Sequence, residues 1–265
     1  MSVAPKRLFL ILVAALLATA AAPVPAGAVQ APSASEAHLL SLINDARQRA
    51  GKVALQWDGR LADIAQYRSD DMARNSYFAH PPMDEMGRLL ASKGIAWYRW
   101  GETIALNSAA TAHASAENTF SQWRNSSAHW NMLMDVDFNY VAFGVARATD
   151  GRYYWTGLLL KGPDRTPPQA SIVDAKQGSV RDGKRSVTVA WAGREVPLSV
   201  LTSGLRDFRV QRKVGTGDWV AVTDWTTATS RSFELAVGKT YRFRVRARDN
   251  AGNRSTWSAA ITVNP

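Results

Sequence analysis

The 265-residue sequence predicts an α+β protein whose two halves obey different periodicities. In the first half, apolar residues recur at helical spacing before a closing pair of alternating stretches. In the second half the helical period disappears, and short alternating runs are separated by turn residues. Between them stands Asp164-Arg165-Thr166-Pro167-Pro168, a linker stiffened by two prolines that cannot enter a central strand. Four segments follow: a leader over 1–28, a first domain over 29–163, the linker over 164–168 and a second domain over 169–265.

The leader reads as a signal peptide. Lys6 and Arg7 form its positive start, LFLILVAALLATAAA its apolar centre, and Ala26-Gly27-Ala28 its small-residue cleavage site. Cleavage after Ala28 would leave a secreted protein with no stable membrane insertion. SEAHLLSLINDARQRAG then reads as a helix, with Ser35 as its cap and Gly51 past its end. Asp58 caps a second helix, GRLADIAQYRSDDMARN, which carries Leu61, Ile64, Ala65, Arg68 and Met72 on one side. A short helix over Met86 to Lys93 stops at Gly94. Another runs from Ser115 to Arg124 with Ala116, Phe120 and Trp123 as its stripe. Tyr140 to Ala148 and Tyr153 to Leu160 form a hairpin around Thr149-Asp150-Gly151-Arg152. Beyond the linker, SVTVAW, DFRVQRK, Trp219 to Val222, Ser232 to Leu235, YRFRVRA and Ser258 to Val263 alternate as strands of a β-sandwich.

Composition narrows the chemistry. There is no cysteine, which excludes thiol nucleophiles, Cys-ligated zinc, disulfides and lipoprotein attachment. The charge is uneven. Residues 29–164 hold 13 Lys and Arg against 14 Asp and Glu, whereas 165–265 hold 17 against 8. The second domain therefore owns the basic excess. Neither a G-x-S-x-G nor a phosphate loop occurs. Asp135-Val-Asp137-Phe-Asn139 begins like a calcium loop, but Tyr140 and Ala146 stand where that loop needs Gly and Glu.

Four stretches in order carry a family likeness: FAH at Phe78 to His80, GETIA at Gly101 to Ala105, WRNSSAHWNML at Trp123 to Leu133, and YYWTGLLL closing the hairpin. Over about residues 36–160 they resemble the CAP superfamily, in its disulfide-free bacterial branch. The resemblance implies an α-β-α sandwich with a cleft lined by two histidines and one or two carboxylates. Matched residue by residue, these are His80, Glu102 and His129. It also implies that a divalent ion such as zinc can sit there, on His80, His129 and Glu102. The pattern departs in two places. Thr103 stands where the family has Asn, and Arg124 and Asn125 stand where many members have a second acid. Glu117 is the candidate substitute, with Asp84 and Glu85 behind it. The second half resembles a fibronectin type III module through Trp191, YRFRVRARDNAGN and Trp257-Ser258.

The residues leave alternatives open. His80, Glu102 and His129 suit either a ligand cleft or an inert polar network that pins loops together. Trp97, Tyr98 and Trp100 suit a sugar or lipid groove, or core packing. His38 and His113 have no partner at useful spacing and are expected at the surface. Arg242, Arg244, Arg246 and Arg248 share one strand face, with Arg209 and Lys213 on a neighbour. That face is either a solvated sheet surface or a patch for anionic wall polymer or acidic polysaccharide. Export argues against nucleic acid as partner. The function expected is a secreted binding protein with no required cofactor. The alternative is a metal-assisted peptidase or esterase.

Overall fold

The structure is a computed structural model, and it describes residues 30–265. The expected signal peptide lies outside the described residues. In chain order the first domain comprises α1 (Ala34–Arg49), β1 (Gln56–Trp57), α2 (Gly59–Asn75), α3 (Met83–Ser92), β2 (Arg99–Ser108), α4 (Ala112–Arg124), α5 (Ser127–Met134), β3 (Tyr140–Arg147) and β4 (Arg152–Lys161). The strands form one sheet in the order β1-β3-β4-β2, antiparallel except for the β1–β3 pair.

Alternation along β3 and β4 serves two helical layers. Val141, Phe143, Trp155 and Leu159 pack with Leu39 and Ile43 of α1, Trp123 of α4 and Leu133 of α5. Their neighbours Tyr140, Ala142, Leu158 and Leu160 pack with Leu61 and Ile64 of α2 and Met86 and Leu90 of α3. The result is the expected α-β-α sandwich. Gly144 lets α2 lie directly on β3: a Cβ there would stand 2.3 Å from the Ala65 carbonyl carbon.

Several boundaries differ from the sequence expectation for identifiable reasons. The cap of α1 is Ser33, not Ser35. Ser33 accepts from the Glu36 amide while the Glu36 carboxylate accepts from the Ser33 amide, a reciprocal pair at i, i+3. Asp58 caps α2 as expected, accepting from the Arg60 amide. Helix α4 begins at Ala112, three residues early, because Thr111 caps it. The sequence did not single out β2 as a strand. Gly101 to Ala105 are buried on both faces, so no polar alternation marks it.

The second domain comprises β5 (Gln169–Arg181), β6 (Lys184–Arg194), β7 (Leu205–Val214), β8 (Val220–Ala221), β9 (Ser230–Ala236), β10 (Tyr241–Asp249) and β11 (Ile261–Val263). Two antiparallel sheets, β5-β6-β9 and β11-β10-β7-β8, enclose Val187, Val189, Trp191, Val210, Phe243 and Val245. Strand β5 escaped the sequence because two register shifts break its alternation.

The start of the linker is tied to both domains. Arg165 donates to Asp58 at 2.7 Å and lies over the Tyr140 ring. Buried Asp164 accepts from the Ser203 amide, and Leu198 of the second domain joins the α2–α3 core. Arg47 of α1, also buried, donates to Ser199 Oγ. A segment that composition marks as a spacer is thus part of a domain interface.

Candidate functional site

The site grows from a cation on an apolar helix face. Arg68 sits among Leu61, Ile64, Ala65 and Met72 on the buried side of α2, and its side chain is 2% exposed. A guanidinium taken out of water needs partners for its donors. Arg68 Nε donates to Glu102 Oε1 at 3.1 Å, Nη1 to the Tyr77 hydroxyl at 2.7 Å, and Nη2 to the Ala79 carbonyl at 2.7 Å. Tyr77 in turn donates to Asp71 at 2.6 Å. Burial alone would lower the Arg68 pKa, but Glu102 and Tyr77 outweigh it and the net shift is upward.

Glu102, on buried β2, has its second oxygen 2.7 Å from Nδ1 of His80. His80 lies on the turn after α2 and its side chain is 54% exposed, whereas that of Glu102 is 2% exposed. A buried acid therefore anchors an imidazole that reaches into solvent. The Ala79 carbonyl held by Arg68 fixes the neighbouring backbone as well.

His129 occupies the first turn of α5. Its Nδ1 lies 2.9 Å from Ser126 Oγ, so the Ser126 hydroxyl orients the ring and makes no cap bond to the helix amides. Burial, and then the nearby His80 ring, lower the His129 pKa. Both histidines thus use Nδ1 within the protein, leaving Nε2 as the remaining ring nitrogen of each.

The donor set differs from the expected three-ligand metal site. Both Glu102 oxygens are bonded, one to Arg68 and one to His80. Among the described residues, two groups of three have ligand atoms all within 4.8 Å of one another. These are His38, His113 and Glu117, and Asp164, Glu195 and Asp249. Two imidazoles with Glu102 behind one of them is an arrangement in which the acid fixes a ligand's tautomer and does not itself coordinate.

A cleft of about 580 Å³ opens beside this network, lined by His80, Met83, Trp97, Tyr98, Trp100, Gly101, Glu102 and Met132, among others. Met83 is 79% exposed and Tyr98 65%. Of the three aromatics that the sequence left between groove and core, Trp100 serves both, since it also touches the α2–α3 core, while Trp97 and Tyr98 stay exposed in the cleft. Gly101 leaves room for Met132, whose Sδ would lie 2.7 Å from a Cβ there and would have to shift.

Glu117 does not join this cleft. It lies on the outward part of α4, between His38 and His113, 3.4 Å and 3.9 Å away respectively. Those two histidines are not isolated surface residues: their rings stack with centroids 3.8 Å apart. The fallback acids are absent from the cleft lining as well. Asp84 pairs with Arg88 in the open, and Glu85 sits in the first turn of α3. Thr103, where the family pattern has Asn, is buried and bonds the Gly157 carbonyl of β4.

The arginine face of β10 is built differently from a free charge patch. Arg244 lies over Trp219 and Trp257 at 4.2 and 4.8 Å, and Arg246 over Trp257 and Trp225 at 4.7 and 5.3 Å. Arg248 covers Trp225 at 4.3 Å and grips Asp207 with two donors. Arg242 is exposed and stands opposite Lys213, while Arg246 stands opposite Arg209. Aromatic faces interleaved with the cations hold like charges together on one sheet.

Comparison with known proteins finds similarity in the first domain. The sequence profile of the Cysteine-rich secretory protein family, CAP, matches residues 40–159, and this stretch is the α-β-α sandwich with its cleft. Two proteins of Bacillus subtilis (strain 168) are each 30% identical over the aligned region. The "Uncharacterized membrane protein YlbC" aligns over 47% of this chain and 34% of its own length, and the "Uncharacterized protein YkwD" over 42% of each. The chain thus spans less than half the length of these relatives. An extracellular protein containing a SCP domain from Bacillus anthracis is 27% identical, with a TM-score of 0.40, over 48% of this chain and 40% of that one.

Proposed function

We propose that this is an exported binding protein whose CAP cleft takes a small amphiphile, an acyl chain or sugar with a polar head. The observation that supports this most is the pairing of an exposed apolar lip with a buried polar floor. Met83, Trp97, Tyr98 and Met132 offer apolar and aromatic surface, and His80 offers a hydrogen-bonding ring fixed from behind by Glu102. Exposed apolar surface gathered at the rim of a concavity is the usual mark of a ligand site. The committed state of Glu102 weighs for binding over hydrolysis. Both of its oxygens are held by neighbours and its side chain is only 2% exposed, which keeps water from the position a general base would need.

A divalent ion remains a second reading, supported only by the ring nitrogens that both histidines leave unused. Nε2 of His80 and Nε2 of His129 would be its protein ligands, and Glu102 would orient the first of them. Such an ion would supply a Lewis acid for a ligand's anionic head. Within the second domain, the two-sheet arrangement, buried Trp191 and the Tyr241 hydroxyl accepting from the Ala236 amide favour a fibronectin type III-like module. Its basic excess and the exposed Arg242, opposite half-buried Lys213, suit an anionic envelope polymer. Export itself rests on the leader's layout, and no described helix is long and apolar enough to cross a membrane.

The test is energy transfer from the cleft tryptophans to a dansylated medium-chain fatty acid, with a labelled N-acetylglucosamine oligomer as the second arm. Saturable binding of either probe is expected, weakened at least tenfold in the Trp97→Ala, Tyr98→Ala double variant. Binding of neither probe, or equal affinity in the variant, would sink the proposal.

A further inference from the structure

Away from the cleft, two helices bring together three side chains that the sequence keeps 75 and more residues apart or reads as unrelated. His38 projects from α1, and His113 and Glu117 project from α4 at i, i+4. We propose that His38, His113 and Glu117 form a zinc site that clamps α1 to α4.

The distances carry the argument. Glu117 Oε1 lies 3.4 Å from His38 Nε2 and 3.9 Å from His113 Nε2. Each residue offers one ligand atom, and the three lie within 4.8 Å of one another. Zinc bonds of 2.0–2.1 Å in tetrahedral geometry put neighbouring ligand atoms about 3.3 Å apart. Rotation of the exposed His113 and Glu117 side chains about the fixed His38 ring would close the set around one ion. Two imidazoles and a carboxylate are a donor set that zinc accepts, with the fourth position left to water.

The surroundings support a built site. His38 Nε2 is buried and has no hydrogen-bond partner at normal distance, a cost that a metal would remove. The two rings stack, with centroids 3.8 Å apart and planes 18° from parallel, so the exposed His113 ring must swing out of the stack for both nitrogens to face one ion in their ring planes. The backbone beneath is rigid. Leu39 follows His38 directly, Ala116 precedes Glu117, and both are fully buried in one core cluster. None of the three lines the amphiphile cleft, so the site stands independently of it. His113 and Glu117 are well exposed, at 60% and 58%, so an ion can enter from solvent.

A bound ion would join the first helix of the domain to a helix more than seventy residues later. It would stabilise the folded state by mass action. The donors on α1 and α4 hold their mutual packing, and that packing also supports Trp123 and Trp155 in the same cluster.

The experiment uses the whole secreted chain, stripped with a chelator. Zinc is titrated by calorimetry, and cobalt(II) is used as a visible-absorption probe of ligand geometry. One site on α1 and α4 is expected to remain in the His80→Ala, His129→Ala background, with the intense absorption of tetrahedral cobalt and a raised melting temperature on zinc addition. His113→Ala and Glu117→Gln should each weaken zinc at least tenfold, and, being exposed, should leave the near-ultraviolet spectrum of the fold unchanged. A His80→Ala, His129→Ala variant separates the two sites and should keep this one. No zinc binding at millimolar concentration would overturn the proposal. So would full affinity in both α4 variants, or loss only in the cleft variant.

Discussion

At the scale of single residues, the floor of the cleft is an electrostatic chain. Arg68 and Glu102 are both buried and neutralise one another, and His80 extends the chain to the surface. Removing one member of such a pair strands a charge in a low-dielectric core, at a cost of about 3–5 kcal/mol. Arg68→Met should therefore destabilise the first domain by that amount in urea unfolding. A loss below about 1 kcal/mol would mean that the guanidinium is not carrying Glu102. Arg68 was also the legible signal that the sequence reading passed over. It sat on the apolar side of the second helix, and a cation on that face demands a buried partner. His80, Glu102 and His129 were legible only because a family pattern ordered them; their separations of 22 and 27 residues carry no periodicity. Glu117 misled for the opposite reason. A charge beside a helix stripe looks the same in sequence whichever way the helix is turned, and α4 turns it toward α1.

At the scale of elements, β6, β7 and β10 announced themselves by alternation, whereas the β3–β4 hairpin, buried on both faces, was legible through its Thr149-Asp150-Gly151-Arg152 turn between two strand-like runs. Strand β2 is buried across its centre and was missed, although it carries Glu102. The arginines of β10 were placed correctly on one face, but their neighbours were not foreseeable. Trp219, Trp225 and Trp257 come from three different connections or strand flanks, and only the folded sheet inserts them between the cations. Trp257 is the middle rung, touching both Arg244 and Arg246. Trp257→Ala removes two cation–π contacts and leaves less to offset the repulsion between Arg246 and its cross-strand partner Arg209. The second domain should lose about 1–3 kcal/mol. Screening should recover part of the loss at high salt, because the uncovered repulsion is between partly exposed charges. A variant as stable as the wild type at low salt would show that the stack is decorative.

At the scale of the whole molecule, the two domains behave as one body through a small set of contacts. Arg165 reaches Asp58 and Tyr140, Asp164 holds the 203 amide, and Leu198 enters the first domain's core. The basic domain is therefore held in a defined relation to the cleft, which a free proline spacer would not provide. This suits a protein that attaches by one face and presents a ligand site on another. The claim on which that picture depends is that the cleft is a ligand site with a pre-set polar floor. The most direct measurement is a crystal structure of the chain with decanoate soaked in. The account predicts the acyl chain between Tyr98 and Met132, and the carboxylate within hydrogen-bond reach of His80 Nε2. The Arg68–Glu102–His80 chain should remain intact beneath it. Decanoate bound elsewhere, or bound there only after Glu102 has broken from Arg68 and His80, would contradict it.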